Sequence, residues 1–322
     1  MLVTGENGAG KTNLLEAVHV GTQGFSPRTR SDPRLIRFGE TAASVALRLE
    51  RASVEHRVRV KLAGGLPKAA ELDGARLAGA DSLRREFPTL VFTPDRLAVV
   101  KGGPAVRRAY LDRTLARLLP AAAGLPPDYA AALAQRNAAL RRLQLGLGSK
   151  DALDPWTLRV AELAARLVEA RTETIALLSP GFREQLESLG LAEGALAYEG
   201  VPPSTAELES RLNADLARGS TGAGPHLDDV TVSAGGRELR SFGSQGEQRL
   251  ALLALLLAEA RLLVPEPLLL LDDVLSELDS RRRGVLAESV SGIGQTLITT
   301  THRSTLPVEP SQVVEVTPGS AV

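Results

Sequence analysis

The stretch Gly5-Glu6-Asn7-Gly8-Ala9-Gly10-Lys11-Thr12 matches the phosphate-loop pattern G-x-x-x-x-G-K-[ST] at every position. Glycines let the backbone curl closely around phosphate oxygens, so that successive N–H groups point at them. The lysine of this pattern reaches the β- and γ-phosphates, and the threonine hydroxyl binds Mg²⁺. Residues 5–12 therefore predict a nucleoside triphosphate site, with Lys11 on the phosphates and Thr12 on the metal.

A helix is predicted directly after the loop, because Leu14, Leu15 and Val18 recur at helical spacing. Its N-terminus, which includes Asn13, brings a partial positive charge to the phosphates. The alternative is a glycine-rich turn that matches by chance. Only Met1–Thr4 precede the loop, which is short for a strand, so we expect a truncated chain or a start assigned too late.

Composition limits the classes of protein that fit. With 322 residues and 43% hydrophobic content, the chain can build one large or two modest domains. Its 38 basic and 38 acidic side chains cancel, so any nucleic-acid site must be a local patch. The lack of cysteine excludes disulfides and thiolate metal sites. We find no signal peptide, and the apolar runs are too short to span a bilayer, so we expect a soluble cytoplasmic protein.

The pattern of predicted elements divides the chain into three segments. Residues 1–103 carry the loop and two alternating strands that predict a hairpin, Ala43–Glu50 and Val54–Leu62. Residues 104–222 have helical apolar spacing, and residues 223–322 return to strands and helices. An α/β fold interrupted by a helical insert follows from this order. The helices predicted in the insert are Arg107–Leu119, Pro127–Leu145 and Pro155–Leu178.

A run of leucines ends in two acids. Pro267–Asp272 is typical of a buried parallel strand whose carboxyl end opens into a ligand crevice. There Asp272 could hold Mg²⁺ through its waters, and Asp273 could accept a proton from an attacking water. The alternative is a strand that runs into an ordinary acidic turn.

Three further groups have a chemical and a structural interpretation. Ser244 and Gly246, at the start of a predicted helix, could present a hydroxyl and N–H groups to a γ-phosphate. Ser244 could equally cap that helix with Glu247 in a capping box, and both can hold together. His302, after the predicted strand Thr296–Thr300, could bond the γ-phosphate or the lytic water, although a lone histidine is usually structural. Metal binding at His226 is not expected.

These elements occur in the order used by ABC-type ATPases, and the chain resembles the RecF family of bacterial recombination mediators, related to the SMC proteins. The phrases that carry the resemblance cover nearly the whole chain: Gly5–Ala17, Leu35–Gly39, Thr93–Asp112, Gly224–Asp229, Ser244–Arg249 and Leu269–Asp279. The resemblance implies an ABC-type phosphate-loop ATPase lobe with a mixed sheet, and a second, helical lobe.

The resemblance also implies a composite site in an ATP-driven head-to-tail dimer. Lys11, Asp273 and His302 would be the catalytic residues, and ATP and Mg²⁺ the cofactors. Ser244, Gly246 and Glu247 of one subunit would complete the site of the other. The residues expected to bind the nucleotide in the loop are Gly5, Glu6, Asn7, Gly8, Ala9, Gly10, Lys11, Thr12 and Asn13, and those expected to bind the metal are Thr12 and Asp272.

By the same resemblance, the chain acts in DNA recombination, replication, repair and the SOS response. A weak ATPase would switch a dimer that binds double-stranded and gapped DNA and helps load RecA, with RecR as partner and RecO indirectly, away from membranes. RecF proteins usually carry a longer segment before the loop, so base and ribose recognition is the part of the assignment that this chain leaves open. Glu247 stands where transporter ATPases usually have Gln, a change that SMC relatives tolerate.

Three basic clusters could contact DNA phosphates without base readout, or could be solvated surface. We expect sequence-independent duplex binding that weakens steeply with salt. The clusters comprise Arg28, Arg30, Arg34 and Arg37; Arg84 and Arg85; and Lys101, Arg107 and Arg108.

Two other functions remain as alternatives. An ATPase subunit of a membrane transporter would share the loop and the acidic strand, but transporter ATPases lack the Thr93–Asp112 and Gly224–Asp229 phrases. A phosphate-loop kinase would have no role for Ser244 and its neighbours.

Overall fold

The structure, a computed structural model, describes residues 1–29, 31–51 and 53–322, without the side chains of Asp81 and Asp95. The chain divides into two units. The first comprises Met1–Leu97, Ser188–Gly190 and Leu252–Val322, and the second comprises Ala98–Glu187 and Leu191–Ala251.

Thirteen strands form in the described residues: β1 (Leu2–Thr4), β2 (Ala42–Arg51), β3 (Val54–Ala63), β4 (Ala69–Leu72), β5 (Ala75–Arg76), β6 (Thr89–Phe92), β7 (Ala195–Tyr198), β8 (Val230–Ala234), β9 (Arg237–Glu238), β10 (Leu268–Leu271), β11 (Thr296–Thr300), β12 (Val313–Thr317) and β13 (Ser320–Ala321).

The same residues form eleven α-helices: α1 (Lys11–Gln23), α2 (Asp81–Glu86), α3 (Ala98–Lys101), α4 (Pro104–Leu118), α5 (Leu125–Gln144), α6 (Asp154–Ser188), α7 (Thr205–Ser210), α8 (Leu212–Arg218), α9 (Leu239–Phe242), α10 (Gln245–Leu262) and α11 (Ser280–Ser291). Short 3-10 turns cover Asp32–Leu35, Pro94–Leu97, Pro120–Ala122, Val274–Glu277 and Arg303–Thr305.

A six-stranded sheet forms the centre of the first unit, in the order β13-β12-β1-β11-β10-β6. All neighbours pair in parallel except β13, which is antiparallel to β12. The sheet is therefore mixed, and the predicted α/β class is confirmed. Val3, Leu270 and Leu297 from three adjacent strands pack in one cluster with Leu15 of α1, which buries the helix against the sheet.

The three-residue strand that precedes the loop, β1, is paired on both sides. Leu2 pairs with Ile298 and Val313, and both Leu2 and Val3 are fully buried. The amino group of Met1 adds a hydrogen bond to the carbonyl of Thr296, at 2.9 Å. A strand of three residues is very short, and here the pairing on both sides and the complete burial stabilise it.

The predicted hairpin is also confirmed, as β2 and β3 pair antiparallel over ten positions within a four-stranded sheet, β2-β3-β4-β5. Val58, Val60 and Leu62 alternate inward on β3. Val58 and Val60 pack with Val20 of α1 and Leu83 of α2 in a second cluster. The alternation of apolar and polar residues therefore indicates which face of the hairpin is buried.

The second unit is built mainly on α4, α5 and α6, close to the helices predicted from the sequence. Helix α6 continues ten residues past the predicted end at Leu178, through Pro180. Proline normally ends a helix because it lacks an N–H group. Here the apolar face continues beyond it, with Phe182 and Leu186 fully buried, and burial outweighs the missing hydrogen bond.

A small sheet in the second unit has the order β7-β8-β9. Strand β7 pairs antiparallel with β8, from Ala195 with Ser233 to Tyr198 with Val230. This pairing ties residues 230–234 to the second unit, which includes residues up to Ala251. The three segments 1–103, 104–222 and 223–322 remain a prediction.

Among the described residues, every helix is too short or too polar to cross a lipid bilayer.

Two helical glycines offer a matched test of the packing of α1 on β2. A Cβ on Gly21 would lie 2.3 Å from Cδ1 and 2.8 Å from Cγ of Leu47, whereas a Cβ on Gly284 in α11 would have no neighbour within 4 Å. We expect Gly21→Ala to lower the free energy of unfolding by about 1–3 kcal/mol through overpacking. Gly284→Ala should raise it by up to about 1 kcal/mol through helix propensity.

Urea titration followed by circular dichroism measures both changes. Equal effects of the two substitutions would contradict the close approach of α1 to β2.

Candidate nucleotide-binding site

The loop between β1 and α1 has the backbone that the phosphate-loop pattern predicts. Gly5, Gly8 and Gly10 have φ angles of 153°, 82° and 111°, in the region that favours glycine. At Gly5 a side chain is also excluded by space, because a Cβ would lie 2.3 Å from the carbonyl oxygen of Val316 on β12. The N–H of Ala9 donates to the carbonyl of Glu6 at 3.2 Å and closes the loop.

Helix α1 begins at Lys11 and aims its N-terminus at the loop. Gly10 is the N-cap, and within the described residues no side chain caps the helix. The Nζ of Lys11 donates to the carbonyls of Gly5 and Glu6, both at 2.8 Å, so the ammonium lies over the loop. Asn7, Gly8 and Asn13 are exposed at the same place. N–H groups, a helix N-terminus and an ammonium thus form one electropositive concavity.

The hydroxyl of Thr12 donates to the carboxylate of Asp272, at 2.9 Å to Oδ2 and 3.1 Å to Oδ1. Thr299 on β11 donates to Oδ1 of the same carboxylate at 2.8 Å. Asp272 is buried, 6% exposed, and these hydroxyls satisfy its oxygens. The structure therefore brings together the two residues predicted to bind the metal, although 260 positions separate them.

Strand register explains why these groups meet. Strands β1, β11 and β10 are neighbours and parallel, with Thr4 beside Thr300 and Ile298 beside Leu271. Residues that follow the carboxyl ends of adjacent parallel strands emerge at one edge of the sheet. The phosphate loop, Asp272 and His302 all follow such ends.

Asp273 lies next to the buried carboxylate but is exposed. Its φ of 51° is left-handed, which is uncommon for a residue other than glycine. Its N–H donates to Oγ1 of Thr299 at 2.8 Å, and its carbonyl accepts from the hydroxyl of Ser276 at 2.9 Å. These bonds fix the backbone and leave the carboxylate toward solvent.

His302 is exposed, and its ring has no hydrogen bond to any residue that the structure describes. Its carbonyl accepts from the hydroxyl of Thr305 at 2.7 Å, which fixes the turn after β11.

The capping box predicted at Ser244 is confirmed. The N–H of Glu247 donates to Oγ of Ser244 at 3.2 Å, and the N–H of Ser244 donates to Oε2 of Glu247 at 2.7 Å. The hydrogen bond from the Ser244 N–H is the main cause that lowers the pKa of Glu247. Ser244 and Gly246 are exposed at the start of α10, and both belong to the second unit.

One set of contacts within the second unit is not predicted from the sequence. It joins two of the segments that carry the family resemblance, Thr93–Asp112 and Gly224–Asp229. Arg107 donates from Nε to Oδ1 of Asp229 at 2.7 Å and from its terminal nitrogens to Oδ2 of Asp229 and to the carbonyl of Gly102. Arg108 donates to the carbonyl of Asp228 at 2.6 Å. Local sequence patterns do not predict this ion pair, because 122 positions separate Arg107 from Asp229.

The prediction of an exposed basic cluster at residues 101–108 is therefore wrong for Arg107, which is 3% exposed and holds Asp229. Lys101 remains exposed. In the cluster at residues 28–37, Arg28 has an ion pair with Glu16, Arg34 and Arg37 are exposed, and Arg30 lies outside the described residues.

A second arginine supports the same segment. Arg171 of α6 binds Asp112 through Nε at 2.8 Å and donates to the carbonyl of Pro225 at 2.7 Å. His226 is held at both ring nitrogens, by Tyr129 at 2.8 Å and by the carbonyl of Thr221 at 3.1 Å. Burial lowers the pKa of His226. Residues 224–229 are thus clasped by side chains from helices of the second unit.

The ion pair of Arg107 with Asp229 predicts that the free energy of unfolding depends on pH. Burial acts to raise the pKa of Asp229, but the hydrogen bonds from Arg107 and from the Val230 N–H outweigh it, and the pKa is lowered below 3.8. Ionised Asp229 therefore stabilises the fold above that ordinary value, and the contribution is lost as the pH falls through the lowered pKa.

Asp229→Asn should lower the free energy of unfolding by about 1–3 kcal/mol at pH 7, and the deficit should shrink toward pH 3. The single tryptophan, Trp156, lies in the second unit and reports its unfolding by fluorescence. Asp151→Asn, at an exposed position of the same unit, is the control. A deficit that does not change with pH would contradict this role of Asp229.

Comparison with known proteins extends over the whole chain. The family profile described as RecF/RecN/SMC N terminal domain matches residues 1–321. DNA replication and repair protein RecF of Synechococcus sp. (strain JA-2-3B'a(2-13)) is 35% identical over 322 residues, covering 94% of this chain and 85% of that protein. The protein of the same name from Anaeromyxobacter dehalogenans (strain 2CP-C) is 37% identical over 326 residues, with 94% and 86% covered.

Solved structures agree. The recombination mediator protein RecF-ATP in the RecFOR pathway is 28% identical with a TM-score of 0.86, covering 100% of this chain and 90% of that chain. An Smc head domain from Pyrococcus furiosus, 18% identical with a TM-score of 0.57 over 99% of this chain and 88% of that chain, shares the fold alone. The chain belongs to the RecF family of DNA replication and repair proteins, within the wider RecF/RecN/SMC group.

Proposed function

We propose that this chain is an ATP-dependent DNA-binding protein of recombinational repair, in which ATP drives dimerisation on DNA and hydrolysis reverses it. The observation that carries the proposal is the contact of Thr12 with Asp272, which joins the helix after the phosphate loop to the acidic strand end at 2.9 Å. Membership of the RecF family supports DNA as the partner and does not favour the alternative of a transporter ATPase subunit.

In this proposal the concavity at residues 5–13 binds the ATP phosphates, with Lys11 as the charge that meets the β- and γ-phosphates. A relative described as RecF-ATP supports ATP as the nucleotide. Thr12 and Asp272 fit Mg²⁺, because a hydroxyl and a carboxylate are the hard oxygen donors that this ion prefers. When bound, Mg²⁺ would neutralise phosphate charge there.

Asp273 is the proposed general base, since its carboxylate is exposed beside the buried Asp272 while its backbone is fixed by Thr299. His302 is the proposed γ-phosphate sensor, because its exposed ring follows β11, whose end pairs with the last residue of β1 just before the loop. Turnover by this set is proposed to be slow and to act as a switch.

The proposed dimer completes each site with Ser244 and the N-terminus of α10 from the other subunit. Ser244 and Gly246 are exposed, and the capping box orients the hydroxyl and the first turn of α10. A ligand that binds only the dimer stabilises it by mass action, so dimerisation should depend on ATP concentration. Gapped and double-stranded DNA, RecR, and indirectly RecO and RecA are the proposed partners. The relative described as RecF-ATP in the RecFOR pathway supports RecO and RecR, and the relatives described as DNA replication and repair proteins support DNA.

Sedimentation of the chain with and without ATP and gapped DNA tests the proposal. We expect dimers only with ATP, at lower protein concentration when gapped DNA is present. Dimers that form equally without ATP, or no dimers under any condition, would contradict the switch.

Ser244→Arg separates the composite site from a site within one subunit. The added bulk and the lost hydroxyl should weaken ATP-dependent dimerisation by at least about tenfold, in line with the loss of a charge-assisted hydrogen bond, while ATP binding by one subunit persists. Ser210→Arg adds the same side chain to an exposed position of α7 and should leave dimerisation unchanged. A kinase would retain full activity in both variants.

Asp273→Asn tests the proposed base. Loss of a general base should lower the rate of ATP hydrolysis by on the order of 10²–10⁴, while ATP still binds and the dimer persists longer. Single-turnover hydrolysis and sedimentation measure the two effects. Unchanged hydrolysis would exclude Asp273 as the base, and loss of ATP binding would assign it a structural role.

A further inference from the structure

Phe38 is the most exposed large apolar side chain among the described residues, at 104% relative exposure. The chain has only six phenylalanines, and Phe87, Phe92 and Phe182 are buried at 8%, 2% and 0% exposure. Phe242 is 69% exposed but belongs to the second unit, so Phe38 is the exposed phenylalanine of the first unit among the described residues. A single exposed apolar side chain is common on protein surfaces, so the groups around Phe38 decide whether it has a role.

A tight turn presents this ring. The N–H of Glu40 donates to the carbonyl of Arg37 at 2.9 Å, and Gly39 has a φ of 88°. A glycine with positive φ at the third position is the signature of a type II turn, which puts Phe38 at the second position. The turn therefore projects the side chain of Phe38 away from the unit.

The segment before the turn is anchored to the first unit. Leu35 packs on the cluster that contains Val58 and Val60. Asp32 accepts from Nζ of Lys68 at 2.9 Å, and the same ammonium donates to the carbonyl of Gly24 at 2.6 Å. Phe38 is thus held on a fixed support, which lowers the entropy lost when its ring is immobilised by a ligand.

The surroundings of the ring are basic. Arg34 and Arg37 are exposed, and neither forms an ion pair with a side chain that the structure describes. Glu40 is the exposed acid of the same turn. Aromatic rings next to arginines form the platforms on which unpaired nucleic-acid bases stack, with the backbone phosphates on the cations.

Charge complementarity favours a nucleic acid over a protein as the occupant. Arg34 and Arg37 precede the ring and are exposed, against one exposed acid, Glu40, after it. The phosphate backbone is negative at every nucleotide and matches this excess of positive charge.

We propose that Phe38 stacks on an unpaired base at the edge of a gap, while Arg34 and Arg37 bind the adjoining phosphates. Paired bases inside a duplex offer no free face, so this contact would distinguish gapped DNA from continuous duplex. The inference rests on the proposed function, because it assigns a residue to the recognition of gapped DNA.

Fluorescence anisotropy of the full chain with ATP tests the inference, with gapped DNA and a continuous duplex of the same length as probes. Phe38→Ala should weaken binding to gapped DNA by about fivefold to hundredfold and leave duplex binding within about twofold. Phe38→Trp should restore the preference for gapped DNA, and Phe38→Leu, which is apolar without a ring, should not.

Salt titration separates stacking from charge. Phe38→Ala should leave the slope of log affinity against log salt unchanged, whereas Arg34→Ala and Arg37→Ala should each reduce it by about one. Val264→Ala, at an exposed apolar position ahead of β10 in the same unit, is the matched control and should change binding to neither probe.

Three outcomes would overturn the inference: equal loss with both probes, full binding by Phe38→Leu, or a Phe38→Ala variant that keeps its gap preference. In the last case, a loss of binding to a protein partner would identify the ring as a protein anchor. If the unaltered chain with ATP binds neither probe, the proposed function itself fails.

Discussion

The parallel pairing of β1 between β11 and β12 is the constraint on which the rest of the first unit depends. Only three residues form this strand, yet they set the height of the phosphate loop relative to the ends of β10 and β11. If β1 slipped by one residue along its neighbours, Thr12 and Asp272 could no longer meet at 2.9 Å. The chemistry proposed for the loop therefore depends on sheet register as much as on the loop residues.

The second unit depends on a different interaction, the clasp of arginines around residues 224–229. Arg107 and Arg171 bring charge into a buried region, where a guanidinium left without its carboxylate partner would be costly. The clasped segment leads directly into β8, and from there through β9 and α9 to Ser244. The contacts between the segments Thr93–Asp112 and Gly224–Asp229, which hold none of the residues predicted for the nucleotide site, thus support the part of the second unit that precedes the capping box.

The local parts of the fold and the site could be predicted from sequence, because their signals are local. The glycines and lysine of residues 5–12, the alternation of β2 and β3, and the leucine run before Asp272 each report their own conformation. The segments that carry the family resemblance could also be recognised in the sequence, but the residues that they contact could not be predicted from it.

The remainder depends on partners far along the chain. Strand β7 is four residues long and is stabilised by a strand that begins 32 positions after its last residue. The burial of Arg107 depends on Asp229, and the second hydroxyl on Asp272 comes from Thr299, a threonine that reads as ordinary strand. Helix α6 extends past Pro180 because Phe182 is buried. Local sequence rules treat the proline as a helix end and do not take this burial into account.

The capping box at Ser244 carries a last consequence. A serine hydroxyl has two lone pairs and one proton, and the bond from the Glu247 N–H uses only a lone pair. The proton of Oγ, which also faces the Glu247 carboxylate, can therefore turn to a phosphate oxygen while the bond from the Glu247 N–H keeps the helix capped. Stabilising α10 and recognising a nucleotide are thus compatible duties of one oxygen atom, and an aspartate at this position could perform only the first.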